Sequence, residues 1–422
     1  MPFSLRDQIK DHLDQLVKDE ILAPVTRPTD WVSSMVVVHK PWKLRVCLDP
    51  RHLNNGIKRE HYPMPTIEDV ATRLKNAKVF TVLDAKNGFW QVALDSKSSF
   101  LTTFNTPFGR YRWKRMPFGI RSAPEVWQRK MNELIENLRG VEVIADDFLV
   151  CGFGDTEEEA IKDHDSNLAA FLRRARQKNL KLNSTKMKLR LTEVPFIGHV
   201  LTAEGVKIDP RKVEAITKMP EPQNVKELMC FICMVQYLSK FLPRLSDVME
   251  PLRRLTDKDV QWQWSNSHQK IVDEIKQLVT KTPVLAYYDP TSEVTIQCDA
   301  SQTGLGATLL QRGRPVAFSS RALTPTEQRY AQIEKETLAI FHACTKFDQY
   351  LYGKANIQVE SDHKPLESIF KKDILKSPKR LQRMLLFLQK YDLKVKFKKG
   401  TEMYIADTLS RAFLTNNPET EN

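Results

Sequence analysis

Long apolar runs are missing from this 422-residue chain, and none approaches the ~18 residues that cross a bilayer. The opening Met1-Pro2-Phe3-Ser4 also lacks the apolar stretch of an export signal. Neither membrane insertion nor secretion is expected. Cysteine is scarce. Cys47, Cys151, Cys230, Cys233, Cys298 and Cys344 are scattered, mostly inside apolar stretches. That spacing suits buried free thiols in a reducing compartment better than a disulfide framework. Cys230-x-x-Cys233 has no second pair or nearby histidine, so zinc is not expected. Internal repeats and low-complexity segments are absent too. With 41% hydrophobic and 28% charged residues, the chain has the composition of a folded protein.

What is present in excess is positive charge: 65 Lys and Arg against 52 Asp and Glu, a net +13. A folded chain this basic usually meets a polyanion, most often nucleic acid. Apolar spacing predicts an amphipathic helix over 7–20, extended segments over 31–39 and 43–48, and a helix over 67–76. Two apolar strands follow at 79–84 and 141–150, with helices at 124–139 and 157–178. The mixture is α/β in character. Residues 211–255 and 268–280 read as helical. From residue 283 onward, strands at 294–299, 307–311, 315–319, 357–362 and 391–397 alternate with helices at 327–347, 378–390 and 405–412.

The strand at 79–84 ends in Asp84, and the run at 141–150 contains Asp146-Asp147. Adjacent carboxylates within an apolar run repel each other and lose hydration. A divalent cation relieves both costs, and three carboxylates from two strands suit two Mg²⁺ ions about 4 Å apart, as in phosphoryl transfer. The plainer alternative is an Asp-Asp pair that merely opens a hairpin turn. A second set comprises Asp299 and Asp362 at strand ends, Glu336 on a helix and Asp407 at the start of the last helix. Each alone suits a cap or a surface position; together they form a second two-metal set with water as the nucleophile.

The words around these acids are specific. Leu83-Asp84-Ala85-Lys86-Asn87-Gly88-Phe89-Trp90-Gln91-Val92 resembles motif A of reverse transcriptases, and Met116-Pro117-Phe118-Gly119-Ile120-Arg121-Ser122-Ala123-Pro124 through Gln128 resembles motif B. Ile144-Ala145-Asp146-Asp147 is similar to motif C, Asn179 to Asn183 with Lys186 to the next motif, and Phe196-Ile197-Gly198-His199 to the primer grip. Arg45 to Asn54 and His61-Tyr62-Pro63-Met64-Pro65 resemble the fingers. Gln297-Cys298-Asp299-Ala300-Ser301, Glu334 to Ile340, Ser361-Asp362-His363-Lys364-Pro365-Leu366 and Ala406-Asp407-Thr408-Leu409-Ser410-Arg411 resemble the four signatures of a retroelement ribonuclease H. In detail the chain is most similar to gypsy-type LTR retrotransposon polyproteins, over nearly its whole length.

The resemblance implies a multidomain α/β (α+β) protein. Fingers and palm would occupy 1–205, a helical thumb and connection 206–282, a ribonuclease H-like mixed-sheet domain 283–413, and a tail 414–422. It implies RNA- and DNA-directed DNA synthesis plus hydrolysis of RNA in hybrids. The metal ligands would be Asp84, Asp146 and Asp147, with the Ala85 carbonyl, and then Asp299, Glu336, Asp362 and Asp407. Each site would hold two Mg²⁺, with Mn²⁺ as a substitute. Arg45, Lys40, Phe118 and Gly119 would bind the dNTP, and Phe89 would stand as an aromatic gate beneath the sugar. Ile144, Lys186, Phe196, Ile197, Gly198 and His199 would contact primer and template. Lys212, Lys218, Lys226, Lys240, Arg244, Arg253 and Arg254 would offer phosphate contacts to a duplex. Partners would be RNA template, DNA primer, RNA–DNA hybrid and dNTPs, with no membrane; monomer and homodimer both stay open. The family implies cytoplasmic virus-like particles, and the chain reads as an excised part of a polyprotein.

Four departures stand out. Ile144 replaces the usual motif C Tyr, which bears on primer positioning more than on chemistry. The fingers turn His39-Lys40-Pro41-Trp42-Lys43 is short and lacks Gly. Cys233 replaces a usual Gly. The loop Lys398-Lys399-Gly400 lacks the histidine that many ribonucleases H carry before their last acid. Two rival readings follow: a catalytically impaired nucleic-acid-binding relic, and a ribonuclease H alone with the rest as a clamp.

Overall fold

A computed structural model describes residues 3–40, 43–372 and 374–404. Asp407 and the expected helix at 405–412 lie outside the described residues, as does the side chain of Lys40. Contacts divide the chain into two units: residues up to Val70 together with Asn76–Ile197, and Ala71–Lys75 together with Gly198 onward.

In the first unit, helix Arg6–Lys18 buries Ile9, Leu13 and Leu16, one apolar stripe at helical spacing. It covers a five-stranded sheet in the order Leu22–Val25, Gly109–Trp113, Phe104–Thr106, Ser33–Lys40, Lys43–Leu48. The hairpin Phe104–Thr106/Gly109–Trp113 has no counterpart among the elements expected from sequence. A second sheet runs Val141–Ile144, Asp147–Phe153, Ala77–Asp84, Lys188–Leu191, and every pairing in it is antiparallel. The run expected as one strand over 141–150 is thus a hairpin with Ala145 and Asp146 at its turn. Ala145 takes a left-handed φ of +54°.

Helix Ala123–Ile135 starts with Pro124 in its first turn, where the missing N–H costs nothing. Helix Glu157–Gln177 opens on a capping box, Thr156 with Glu159, and carries acids in its first turn and arginines in its last, matching the helix dipole. The helix expected over 67–76 stops at Ala71; Asn76, at φ +65°, turns the chain into strand Ala77–Asp84.

The second unit begins with the hairpin His199–Thr202/Gly205–Ile208, followed by helices Pro210–Thr217, Val225–Tyr237, Leu245–Val248, Glu250–Arg254 and Asn266–Thr280. Helix Val225–Tyr237 buries Leu228, Phe231 and Val235, which leaves Cys230 and Cys233 on the opposite, exposed face. The expectation that the thiols are mostly buried therefore fails for these two.

A mixed sheet follows, in the order Arg314–Ala322, Gly304–Gln311, Thr295–Ala300, Ile357–Ser361, Leu393–Phe397. Its first three strands are antiparallel and the last two join in parallel. The helix expected over 327–347 is two elements, a 3₁₀ turn Glu327–Arg329 and helix Gln332–Lys346. Tyr330 and Ala331 are extended between them, and the Glu334 carboxylate accepts the Ala331 N–H at 3.1 Å to start the second. That helix packs on strands Thr295–Ala300 and Gly304–Gln311.

Candidate functional site

Strand Ala77–Asp84 ends beside the Asp147 end of its antiparallel neighbour, so Asp84 and Asp147 face each other as register partners. The turn between Ile144 and Asp147 sets Asp146 next to them. Two side chains of helix Ala123–Ile135 pin this turn. Gln128 accepts the Ala145 N–H at 2.7 Å and donates to the Val143 carbonyl at 3.0 Å, while the Trp127 indole donates to the Ala145 carbonyl at 2.9 Å. The buried Ala85 donates its N–H to the Asp146 carbonyl at 2.8 Å, which ties the two carboxylate segments together. Gly88 closes the floor: a β-carbon there would lie 2.1 Å from Asp146 Oδ1. Lys186 arrives on the turn Ser184–Lys186 and pairs with Asp84 Oδ2 at 2.8 Å.

Burial, then the charges of Asp84 and Asp147, pushes the Asp146 carboxyl above the usual range; burial, then Asp84, does the same to Asp147. Asp146 Oδ1 is buried without a hydrogen-bond partner. A group of hard oxygens that resists its own charge and holds an orphaned lone pair suits a divalent cation.

Phe89 sits on the 3₁₀ turn Gly88–Gln91. Its ring packs against Phe118 at 5.1 Å between centroids, and the Arg45 guanidinium lies over the Phe118 ring, 5.0 Å from its centroid. Three residues expected at the nucleotide are thereby joined through one aromatic bridge. Gly119, at φ +97°, accepts the Asn54 side-chain amide at 3.0 Å.

The primer and template candidates divide by exposure. Ile144 is only 7% exposed, so it packs beneath the turn and offers little surface to a primer. Phe196 is buried in the first unit; His199 is buried in the second, where its ring stacks near Tyr237 and Phe241. The backbone at Ile197 and Gly198 takes φ of +45° and +72°. Of the seven basic residues expected on a duplex, Lys218 pairs with Glu214, Arg254 with Glu250, and Arg253 donates to Gln236. Lys212 lies 3.9 Å from the Tyr237 centroid, and Arg244 turns instead to Asp299.

In the second unit Asp299 lies on strand Thr295–Ala300, Asp362 directly follows strand Ile357–Ser361, and Glu336 projects from helix Gln332–Lys346. Their ligand oxygens all lie within 4.8 Å of one another, and among the described residues no other trio of His, Cys, Asp or Glu is gathered so closely. The oxygens of Asp84, Asp146 and Asp147 are not drawn in so far. Glu336 is 2% exposed, and burial, reinforced by the Asp362 charge, pushes its carboxyl up to about 7 against the opposing hydrogen bond from Gln332. Gln332 donates to Glu336 Oε1 at 2.7 Å and to the Ala300 carbonyl at 3.0 Å, fixing the acid against the strand. Glu334 points elsewhere, paired with Arg380 at 2.8 Å. Gly400, in the loop without histidine, lies against Asp362, and Lys398 in that loop pairs with Glu360 at 2.9 Å.

Gly88, Trp127, Gln128 and Gln332 are not among the site residues expected from sequence. The first three fall inside the motif words, and Gln332 stands one helical turn before Glu336, so a signal existed for them. Arg244 is expected only as one of seven duplex contacts, and nothing in the sequence points to Asp299 as its partner.

A family model described as reverse transcriptase (RNA-dependent DNA polymerase) matches residues 38–201, and one described as RNase H-like domain found in reverse transcriptase matches 289–391. Retrovirus-related Pol polyproteins from the Drosophila melanogaster transposons 297, opus and gypsy are 33%, 33% and 29% identical over 99%, 97% and 98% of this chain. The chain spans 39%, 42% and 41% of their own length. Among solved structures, a foamy viral protease-reverse transcriptase in complex with dsDNA matches with a TM-score of 0.84 at 22% identity, covering 95% of this chain and 84% of that one. The same viral protein in complex with RNA/DNA hybrid matches at 0.79 and 21%, covering 100% and 56%. At these identities the structures establish the shared mixed α/β fold. With a polymerase model matched over 38–201, a nuclease model over 289–391 and relatives aligned over 97–99% of its length, the chain belongs to the reverse transcriptase–ribonuclease H family of gypsy-type retrotransposon Pol polyproteins.

Proposed function

We propose that this chain polymerises dNTPs onto a primer 3′-OH on RNA or DNA templates and hydrolyses the RNA of the resulting hybrid, each at its own two-Mg²⁺ site. The observation that carries the reading is the cross-strand pair Asp84 and Asp147 with Asp146 beside it, its Oδ1 buried and unpartnered. Asp84, Asp146 and Asp147 would hold the ions of the polymerase; Asp299, Glu336 and Asp362 those of the nuclease. Bound there, divalent ions lower the pKa of the attacking oxygen and neutralise charge on the leaving group.

The chain's own groups do the rest. Trp127 and Gln128 hold the carboxylate turn in place before substrate arrives. The Arg45 guanidinium, steadied on Phe118, offers a planar fork to triphosphate oxygens. Phe89, braced by the same ring, blocks the space a ribose 2′-OH needs. At the nuclease, Gln332 keeps Glu336 aimed at Asp299 and Asp362. Base pairing would read sequence, so the protein would grip backbone and hybrid shape with strong salt dependence.

The test is extension of a 5′-labelled DNA primer on RNA with Mg²⁺, beside Asp146→Ala/Asp147→Ala and Asp362→Asn. The double variant is expected to lose extension and keep hybrid cleavage, and Asp362→Asn to do the reverse. Extension that survives the double variant would sink the polymerase assignment. A parent protein inert with both Mg²⁺ and Mn²⁺ would leave a nucleic-acid-binding relic.

A further inference from the structure

Arg244 precedes the short helix Leu245–Val248 with a left-handed φ of +52°, and its guanidinium forms an ion pair with Asp299. The placement is built rather than incidental. Asp247 Oδ1 accepts the Ser301 hydroxyl at 3.0 Å, two residues beyond Asp299. Gly304 leaves room for that carboxylate, since a β-carbon there would sit 1.8 Å from Asp247 Oδ1. Ser246 donates its N–H to Ser320 Oγ at 3.0 Å and accepts from the same hydroxyl at 3.1 Å. Leu245 is fully buried beside them. Three consecutive residues after Arg244 thus fasten it to the nuclease sheet, and the side chain is 33% exposed against 19% for Asp299.

Three carboxylates with oxygens within 4.8 Å suit a cation, and in this arrangement Arg244 brings one to Asp299. The side chain frees Asp299 only by moving away from it. While it stays, it engages oxygen that a divalent ion would coordinate. Two cations that cannot share a ligand atom compete, and the apparent affinity of the second falls by the fraction of time the first is away.

Resting on the assignment of Asp299, Glu336 and Asp362 as metal ligands, we propose that Arg244 is a built-in gate on the nuclease. Its side chain competes with the divalent cation for Asp299, and loading of the site requires it to swing off while Asp247 and Ser246 keep it within reach. The helical segment thereby sets how much metal the nuclease needs, a control separate from the acids themselves.

The test is Mn²⁺ titration by calorimetry of the full chain carrying Asp146→Asn/Asp147→Asn, so that heat reports the nuclease site. Adding Arg244→Ala is expected to tighten Mn²⁺ binding by about tenfold, with Arg244→Lys restoring weak binding, since the competing charge returns. The Mg²⁺ concentration for half-maximal hybrid cleavage is expected to fall in parallel for Arg244→Ala in the otherwise unaltered chain. An affinity unchanged or weakened by Arg244→Ala, with the melting temperature preserved, overturns the gate. Should Arg244→Ala unfold the protein, Ser301→Ala, which loosens the anchor and leaves the arginine, is expected to tighten binding in the same direction; unchanged binding there overturns the gate as well. Binding that Asp362→Asn does not abolish would instead remove the metal-site assignment, and the gate with it.

Discussion

Gly88 faces Asp146 so closely that a single added methyl group would lie 2.1 Å from Oδ1 of the carboxylate and 3.1 Å from the Trp127 ring. The carboxylate end can rotate away from such a methyl, whereas the backbone need not move. Gly88→Ala is therefore expected to keep the melting temperature and to lower primer extension by about 100-fold, the scale of a one-ångström misplacement. Extension rates measured beside thermal melts check this; full activity would show that Asp146 is not needed where it sits.

Gln128 serves both the N–H and the carbonyl side of the carboxylate hairpin, at Ala145 and Val143. Its own side chain is fully buried. Gln128→Ala leaves both backbone groups without their partner, a cost of about 1–3 kcal/mol for each. Lower stability in denaturant and slower extension are expected together, with primer affinity little changed. Gln128→Glu, which keeps the acceptor and loses the donor, is expected to fall between.

Phe89 stands against Phe118, which in turn carries Arg45. Removing the first ring opens the sugar side and leaves the arginine seated, while removing the second unseats the arginine. Phe89→Ala is expected to raise ribonucleotide incorporation relative to dNTPs by at least about tenfold. Phe118→Ala is expected mainly to raise KM for dNTPs. Single-nucleotide incorporation with matched dNTP and rNTP separates the two, and equal selectivity in Phe89→Ala and the parent would remove Phe89 as the gate.

His342, buried on helix Gln332–Lys346 with Ser319 Oγ 3.0 Å from its Nε2, is pushed down to about 4 by burial, then by Arg321 and Lys346, from an ordinary 6.5. The fold favours the neutral ring, so its contribution is complete above pH 6.5 and lost as pH falls towards about 4. The loss amounts to about 3 kcal/mol at 1.36 kcal/mol for each pKa unit. Denaturant melts of the full chain over this range are expected to show the slope, and His342→Gln, which cannot charge, to flatten it. A parallel decline in that variant would assign the slope to another group.

Much of the candidate site was legible because its acids stand in local words. Asp84, Asp146 and Asp147 close or interrupt apolar runs, and Glu336 could be told from Glu334 by the apolar run that follows it. The hairpin at Ala145 and Asp146 was legible only as the alternative of an Asp-Asp pair opening a turn, since a two-residue turn without Gly or Asn leaves the apolar pattern unbroken on both sides. Helix Gln332–Lys346 was overextended because an extended Tyr330 and Ala331 do not disturb helical spacing in the letters. Cys230 and Cys233 were misplaced because a helix apolar on both faces does not announce which one it buries. Arg244 was legible only as one basic residue among seven. Its partner lies 55 positions away by the numbering, and only the docking of Leu245–Val248 brings the two together.

That docking also decides which piece of chain travels whole. Leu285 exchanges both backbone hydrogen bonds with Val206, at 2.8 and 3.0 Å, and Leu245–Val248 lies on strand Arg314–Ala322. The nuclease sheet therefore wears a collar made of the polypeptide before it. Cut at its own first strand, it would shed that collar, bare an apolar flank and surrender its arginine.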